Sequence, residues 1–266
     1  MVREARIKSI AAQALGINRK NIYRQSELKK RDLKLREKIE TTWLTHPAYG
    51  HRRLALHLAV NRKRILRVMH KYGLKPPRRK VSRYCTRSVP RHAFTNLIKD
   101  WQPQWPHALW CSDVSYFKFQ GRFWYLATIL DVCTRRIIGI QVAKHHNQHL
   151  ILDLLKQALI TTKTTPQIFH TDQGSEYLAE SVISFLINHR IKVSVSETAS
   201  PWQNGYQESF FGRLKAEFGD FGRFSSLGEL LEAIYAYVYY YNHQRIHTAL
   251  KMPPAAYEQS LRNMSS

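Results

Sequence analysis

From residue 108 onward the chain leaves helical patterning for β-rich runs, and that change limits the fold more than any other feature. Leu109 to Phe119, Phe123 to Val132 and Arg136 to Ala143 are three such runs. Their short connections hold Gly121 and Thr134-Arg135, as an antiparallel meander requires. Residues 148–161 follow as an amphipathic helix with Leu150, Ile151, Leu154, Leu155, Ala158 and Leu159 on its apolar face. A short strand over 167–170, a helix over 178–188, a strand over 192–196 and a helix opening within 201–211 complete the run. The order β-β-β-α-β-α-β-α predicts an α/β unit: a mixed five-stranded sheet with flanking helices. An aromatic-rich helix is expected over 227–241.

The first part of the chain is built differently. Ile7 to Leu15 is apolar-periodic, Gly16 stops it, and Asn18 is placed to cap a second short helix. That pattern predicts a small all-α, helix-turn-helix-like region. A longer charged helix is expected over 27–44, one from Tyr49, and one from Arg62 to Tyr72 capped by Asn61. Ile65, Val68, Met69 and Tyr72 form the last one's apolar stripe. Residues 76–106 carry Pro76, Pro77, Pro90, Pro103 and Pro106 and read as a basic linker. The expected organisation is therefore a helical region over 1–75, a linker over 76–106, an α/β core over 107–222 and a helical extension over 223–266.

Charge narrows the partner. Lys and Arg number 42 against 19 acids, a formal +23. From Thr41 to Lys99 there is no Asp or Glu, whereas a solvated helix face normally mixes signs. Arg52, Arg53, Arg62, Lys63, Arg64 and Arg67 lie in that stretch and are the expected contacts to a DNA backbone. No apolar run approaches the roughly 18 residues that would span a bilayer, and no secretory signal is visible, so no membrane partner is expected. Cys85, Cys111 and Cys133 are odd in number and widely spaced, which fits a reducing cytoplasm. His243 and His247 stand at helical spacing, but without further ligands nearby they read as packing or phosphate contacts.

Against this basic background three acids stand out: Asp113 within a strand, Asp172 where a strand runs into a turn, and Glu208 at a helix opening. Thirty-five residues separate the last two. Gathered by a fold, such acids repel one another and call for a cation between them. All-oxygen ligands suit hard cations, Mg²⁺ or Mn²⁺. Two such ions can drive phosphodiester cleavage without a covalent protein intermediate. Asp131, at a strand end, reads as a turn residue; Asp153 and Glu180 read as helix surface; Glu176 is set aside as a neighbour of Asp172.

The segments around these acids resemble the insertion-sequence transposases of the retroviral-integrase superfamily, of the type encoded in a second reading frame. The matching residues are Trp110, Asp113, Ser115 and Tyr116; His170, Asp172, Gly174, Ser175 and Tyr177; and Ser200, Pro201, Asn204, Gly205, Glu208 and Ser209. The basic Tyr49-Gly50-His51-Arg52-Arg53 segment, Asn61 to Met69, and the closing Tyr241 to Leu250 with Pro253-Pro254 match as well. Coverage runs from about Tyr49 to Tyr257, with the stretch between Leu58 and Asn61 shorter than is usual. The resemblance implies a ribonuclease-H-like fold and a polynucleotidyl transferase that frees a 3′-hydroxyl at each end of a mobile element and joins it to a second phosphodiester. It implies that Asp113, Asp172 and Glu208 hold two divalent metal ions, that Lys215, seven residues after Glu208, contacts DNA, and that Asn204 bonds DNA or orders its loop. The expected partners are terminal-repeat and target DNA, further copies of the chain on that DNA, and a first-reading-frame protein. The expected location is the cytoplasm, at the bacterial nucleoid. Two rivals remain: a ribonuclease-H-class nuclease without strand transfer, and an inactive DNA-binding regulator.

Overall fold

The computed structural model describes Ile10, Gln13, Ala14, Gly16 and residues 27–77, 94–99, 101–196 and 205–264. Most of the expected first helical pair, and Asn204, therefore lie outside the described residues. The chain divides into two compact units, Met1–Pro76 and Pro77–Ser266.

Three described helices make up the first unit: α1 (Glu27–Thr45), α2 (His51–His57) and α3 (Arg62–Lys71). Asn61 caps α3 by accepting from the Lys63 N–H at 2.8 Å. The short link from α2 to α3 places Ala59 at φ 51°, a left-handed residue that tightens the turn. Leu35, Ile39, Leu54, Ile65, Val68 and Met69 close a small core. Asp32 is buried beneath α3, where Arg67 grips it through both guanidinium nitrogens and Lys71 adds a third contact at 2.9 Å. Arg67 and Lys71 hold its carboxyl far below the usual carboxylate range.

The second unit is built on one sheet. β1 (Leu109–Phe119), β2 (Arg122–Asp131) and β3 (Ile137–Ala143) form the antiparallel meander. Gln120 and Gly121 turn the first hairpin with φ 47° and 77°, the two positive values that a tight two-residue turn demands. α4 (Gln148–Thr162), capped by Asn147, crosses to β4 (Ile168–Thr171); α5 (Glu180–Asn188) crosses to β5 (Lys192–Val195). β4 pairs parallel with β1 and β5 parallel with β4, giving the order β3-β2-β1-β4-β5. Three antiparallel strands followed by two parallel ones in this order make the ribonuclease-H-like sheet.

Alternation along the strands assigns its two faces. Trp110, Ala127, Ile129, Ile138 and Phe169 face α4 and α5. Leu109, Cys111, Phe117, Leu126, Leu130 and Ile168 face α6 (Gly205–Phe218) and α7 (Leu227–His243). The α7 residues Leu230, Ile234, Tyr237, Val238 and Tyr241 lie in the same core as Phe210 and Leu214 of α6. The expected boundary at 222 thus cuts through one core, because α7 covers apolar sheet that would otherwise meet water. The expected linker is also shorter than its composition implies. The Leu97 N–H donates to Ser194 Oγ at 2.9 Å, and Ile98 and Trp101 pack on the core. The chain ends in α8 (Pro254–Met264). No described helix is long and apolar enough to cross a membrane.

Candidate functional site

β1 and β4 are parallel neighbours whose last paired position is Cys111 with His170. Asp113 and Asp172 each lie two residues beyond that pair, so two distant acids arrive side by side at the sheet's centre. Asp113 shares the odd positions of β1 with Leu109 and Cys111, and Asp172 continues the even positions of β4 with Ile168. Alternation therefore turns both toward the face covered by α6, the helix whose first turn carries Glu208.

Each acid is held locally. Asp113 Oδ1 accepts from the Val114 N–H at 2.8 Å, and Asp172 Oδ1 from the Gly174 N–H at 3.0 Å. Burial pushes the Asp113 carboxyl up to about 8, with the charges of Asp172, Glu208 and Glu176 adding to the rise. Asp172 is raised as well, again by burial first. The neutral form is thereby favoured at Asp113 until a counter-charge arrives. Carboxylate oxygens from two strands and a helix are the donor chemistry a hard divalent cation takes. Among the described residues, no three His, Cys, Asp or Glu side chains are grouped closely enough to hold a metal ion in the arrangement seen. Glu208 is exposed at the start of α6, and its charge adds to the rise at Asp113.

Two fastenings went unnoticed in the sequence. Gln207 is fully buried, and its amide donates to the Cys111 carbonyl at 2.6 Å and the Thr128 carbonyl at 3.2 Å while accepting from Thr128 Oγ1 at 3.0 Å. It ties the start of α6 to β1 and β2, one residue before Glu208. Its signal was available: Gln207 is the polar member of the stripe formed with Phe210, Phe211, Leu214 and Phe218. The second fastening is Glu176, set aside earlier, which is buried and bonded to His146 Nε2 at 2.7 Å. His146 stacks on Tyr125, with ring centroids 5.0 Å apart, and Glu176 raises its pKa, as do Asp172 and Asp113. A Cβ on Gly174 would stand 2.4 Å from Glu176 Oε1, so a larger residue after Asp172 requires the Glu176 side chain to shift. No sequence spacing links 146 to 176.

The other expected residues separate. Asp131 is a turn residue, accepting from the His107 and Thr134 N–H groups and the Thr134 hydroxyl. Lys215 is exposed on α6, with Nζ 5.6 Å from the centre of the Tyr116 ring. Arg52, Arg62 and Lys63 are exposed and Arg64 is half-buried. Arg67 and Arg53 are corrected as free phosphate ligands. Arg67 is bound to Asp32, an acid supplied by α1 from outside the acid-free stretch, and Arg53 is buried against Tyr49 and the Ala48 carbonyl. His243 and His247 share no helix face: α7 ends at His243, and His247 pairs with Met252 across the next turn. Trp110 is core, whereas Trp124 and Tyr125 are only half-buried.

Comparison with known proteins agrees with this architecture. Residues 103–201 and 189–254 match two family models, each described as an integrase core domain. An uncharacterized transposase-like protein of Haemophilus influenzae is 32% identical over 207 residues, covering 77% of this chain and 96% of the relative. The putative transposase InsK for insertion sequence element IS150 of Escherichia coli is 32% identical over 213 residues, covering 76% and 74%. The transposase for insertion sequence element IS904 of Lactococcus lactis is 32% identical over 230 residues, covering 81% and 89%. Among solved structures, a chain of the simian T-cell lymphotropic virus intasome in complex with PP2A regulatory subunit B56 gamma superposes with TM-score 0.49 at 15% identity, covering 82% of this chain and 73% of that one. Sequence identity over most of the chain, with a ribonuclease-H-like sheet beneath it, places this protein in the insertion-sequence transposases with an integrase core domain, polynucleotidyl transferases of DNA transposition.

Proposed function

We propose that Asp113, Asp172 and Glu208 are the catalytic acids of this transposase and hold two divalent cations, Mg²⁺ or Mn²⁺. The observation that carries the reading is the placement of Asp113 and Asp172 side by side on adjacent parallel strands, beneath the helix that presents Glu208. Bound there, the cations supply charge neutralisation at the scissile phosphate and activation of the attacking oxygen. The chain's own residues do the rest. Asp113 and Asp172 fix one side of the site from the sheet. Glu208 rotates in from α6 to close it, and Gln207 keeps that helix seated on β1. Lys215 lies two turns along the same helix as Glu208, where its ammonium would meet a DNA phosphate. Water attacks a phosphodiester at the element end and frees a 3′-hydroxyl, and that hydroxyl attacks a second phosphodiester.

Arg52, Arg62, Lys63 and Arg64 are the backbone contacts of the first unit, with Asn204 contributing near the site. Two element ends must meet for joining, so the active form is a multimer on DNA, and a first-reading-frame protein is its further partner. The test is a labelled duplex ending in the terminal repeat, incubated with Mg²⁺ or Mn²⁺. End cleavage and joined products are expected, both lost in Asp172→Asn and Glu208→Gln while DNA binding persists. Cleavage without joining would favour a nuclease, and full activity in Glu208→Gln would overturn the assignment.

A further inference from the structure

Three buried nitrogens with no hydrogen-bond partner belong to residues lining one cavity. They are Asn96 Nδ2, Arg135 Nη1 and Arg213 Nε. The cavity measures about 830 Å³ and lies between the segment 96–103, the start of β1, the end of β2, the first turns of α6 and the loop 247–249. All three groups are donors, and two belong to guanidinium ions. Burying an unpaired donor costs free energy, and burying a charged one costs more. Such a group stores strain or is completed by a water, an ion or a ligand. Among the described residues lining the cavity there is no Asp or Glu to do so.

The remaining wall narrows the ligand. Trp101 and Tyr206 contribute aromatic surface, and the Arg135 guanidinium lies 3.8 Å from the centre of the Tyr206 ring. An acceptor-rich anion attached to a flat apolar group satisfies both parts. A guanidinium matches phosphate through paired N–H donors, and a base stacks on an aromatic side chain whatever its sequence. The volume falls within the range of about 300–1,000 Å³ that small-ligand sites occupy. Bases inside a duplex already stack on one another, so an aromatic wall within a cavity suits an unpaired nucleotide.

We infer that this cavity is a second DNA-binding site, taking one unpaired nucleotide of a DNA strand, its phosphate on Arg135, Arg213 and Asn96 and its base against Trp101 and Tyr206. The DNA source follows from location. Ser209 lines the cavity from the position next to Glu208, so a strand passing the acids reaches the cavity along one helix. The inference rests on the chain's role in DNA transposition and on the proposed acids as the site past which the strand runs.

The test uses the full chain and fluorescein-labelled DNA, either blunt or with a single-stranded overhang, followed by anisotropy across a salt series. Arg135→Gln with Arg213→Gln should weaken overhang binding by roughly tenfold or more and lower the slope of log affinity against log salt by about 1–2. The same variant should stay folded without DNA, its melting temperature lowered only by the loss of the contact between Arg135 and the Tyr206 ring. Should it fold poorly, Arg135→Gln alone, and photocrosslinking of wild-type protein to 5-iodouracil placed in the overhang, give independent readouts; labelled peptides containing Trp101 or Tyr206 are expected. Unchanged affinity and slope with no crosslink at either aromatic overturn the inference. So does a phosphate-only result, in which inorganic phosphate raises the wild-type melting temperature but DNA affinity is untouched by the substitutions. Failure of the acid assignment registers separately, as cleavage surviving in Glu208→Gln.

Discussion

Replacing Gln207 by leucine keeps the side chain's bulk and removes its amide. The Thr128 carbonyl retains a partner, because Ser112 Oγ donates to it at 2.9 Å. The Cys111 carbonyl loses the amide's bond, and the Thr128 hydroxyl loses the acceptor it uses at 3.0 Å. The Thr128 hydroxyl, left without its acceptor, costs about 1–3 kcal/mol. The Cys111 carbonyl, which keeps its ladder partner Leu130, loses a further amount of about 0.5–1.5 kcal/mol, partly offset because leucine needs no desolvation of an amide. A net loss of about 2–4 kcal/mol follows. The unit Pro77–Ser266 is of a size for which each kcal/mol moves the melting temperature by about 2–4 °C, so a fall of roughly 5–15 °C is expected in differential scanning calorimetry. Total stabilities of about 5–15 kcal/mol leave the variant folded at 25 °C. Glu208 is the next residue, and a displacement of about 1 Å at a reacting centre can cost on the order of a hundredfold in rate. End cleavage should fall by that order while DNA affinity holds. Adding Thr128→Val removes the stranded hydroxyl, so the double variant should be about 1–2 kcal/mol more stable than the sum of the single effects. Gln207→Leu melting with the wild type, or strictly additive losses in the cycle, would refute the view that this amide fastens α6 to the sheet.

Two further outcomes follow from buried ions. Arg245 is fully buried, with Nη2 2.6 Å and Nε 2.8 Å from the two oxygens of Glu217, and the Tyr237 hydroxyl donates to the same carboxylate. Arg245→Met should cost about 3–5 kcal/mol in urea unfolding, and Glu217→Leu in the same chain should restore much of it, because an unpaired buried charge is worse than none. A cost below about 1 kcal/mol would contradict this. His107, Arg136 and Arg262 hold the Glu258 carboxyl down to about 2, from an ordinary 4.5. A carboxylate lowered by folding contributes stability that is complete above the unfolded value and is lost as pH falls toward the folded one. The stability gap between wild type and Glu258→Gln should therefore be constant above about pH 5 and close between roughly pH 4.5 and pH 2. A gap independent of pH over that interval would rule the charge out as its source.

Strands, helices and turns were legible where their signals are local. Alternation marks β1 to β3, Asn61 caps α3, and Gly121 lies in the first hairpin turn. The three acids were legible because each lies in its own marked segment. Arg67 misled because its partner, Asp32, comes from another helix, and a stretch free of acids says nothing about acids folded onto it. The same limit hid α7's place in the core, since an apolar stripe does not name the surface it will cover.

By itself, then, the sequence determined the alternating sheet strands, the helices between them, the +23 charge and the three candidate acids with their spacing, all properties of neighbours along the chain. Only the tertiary structure decided that Asp113 and Asp172 stand on adjacent strands, that Gln207 seats the helix of Glu208, that His146 holds Glu176 beside them, and that Asn96, Arg135 and Arg213 meet unpaired around one cavity. Those relations join residues 30 to 117 positions apart. Hydrogen bonds and charges act over a few ångströms of space, and only the packed fold brings such distant residues within that range.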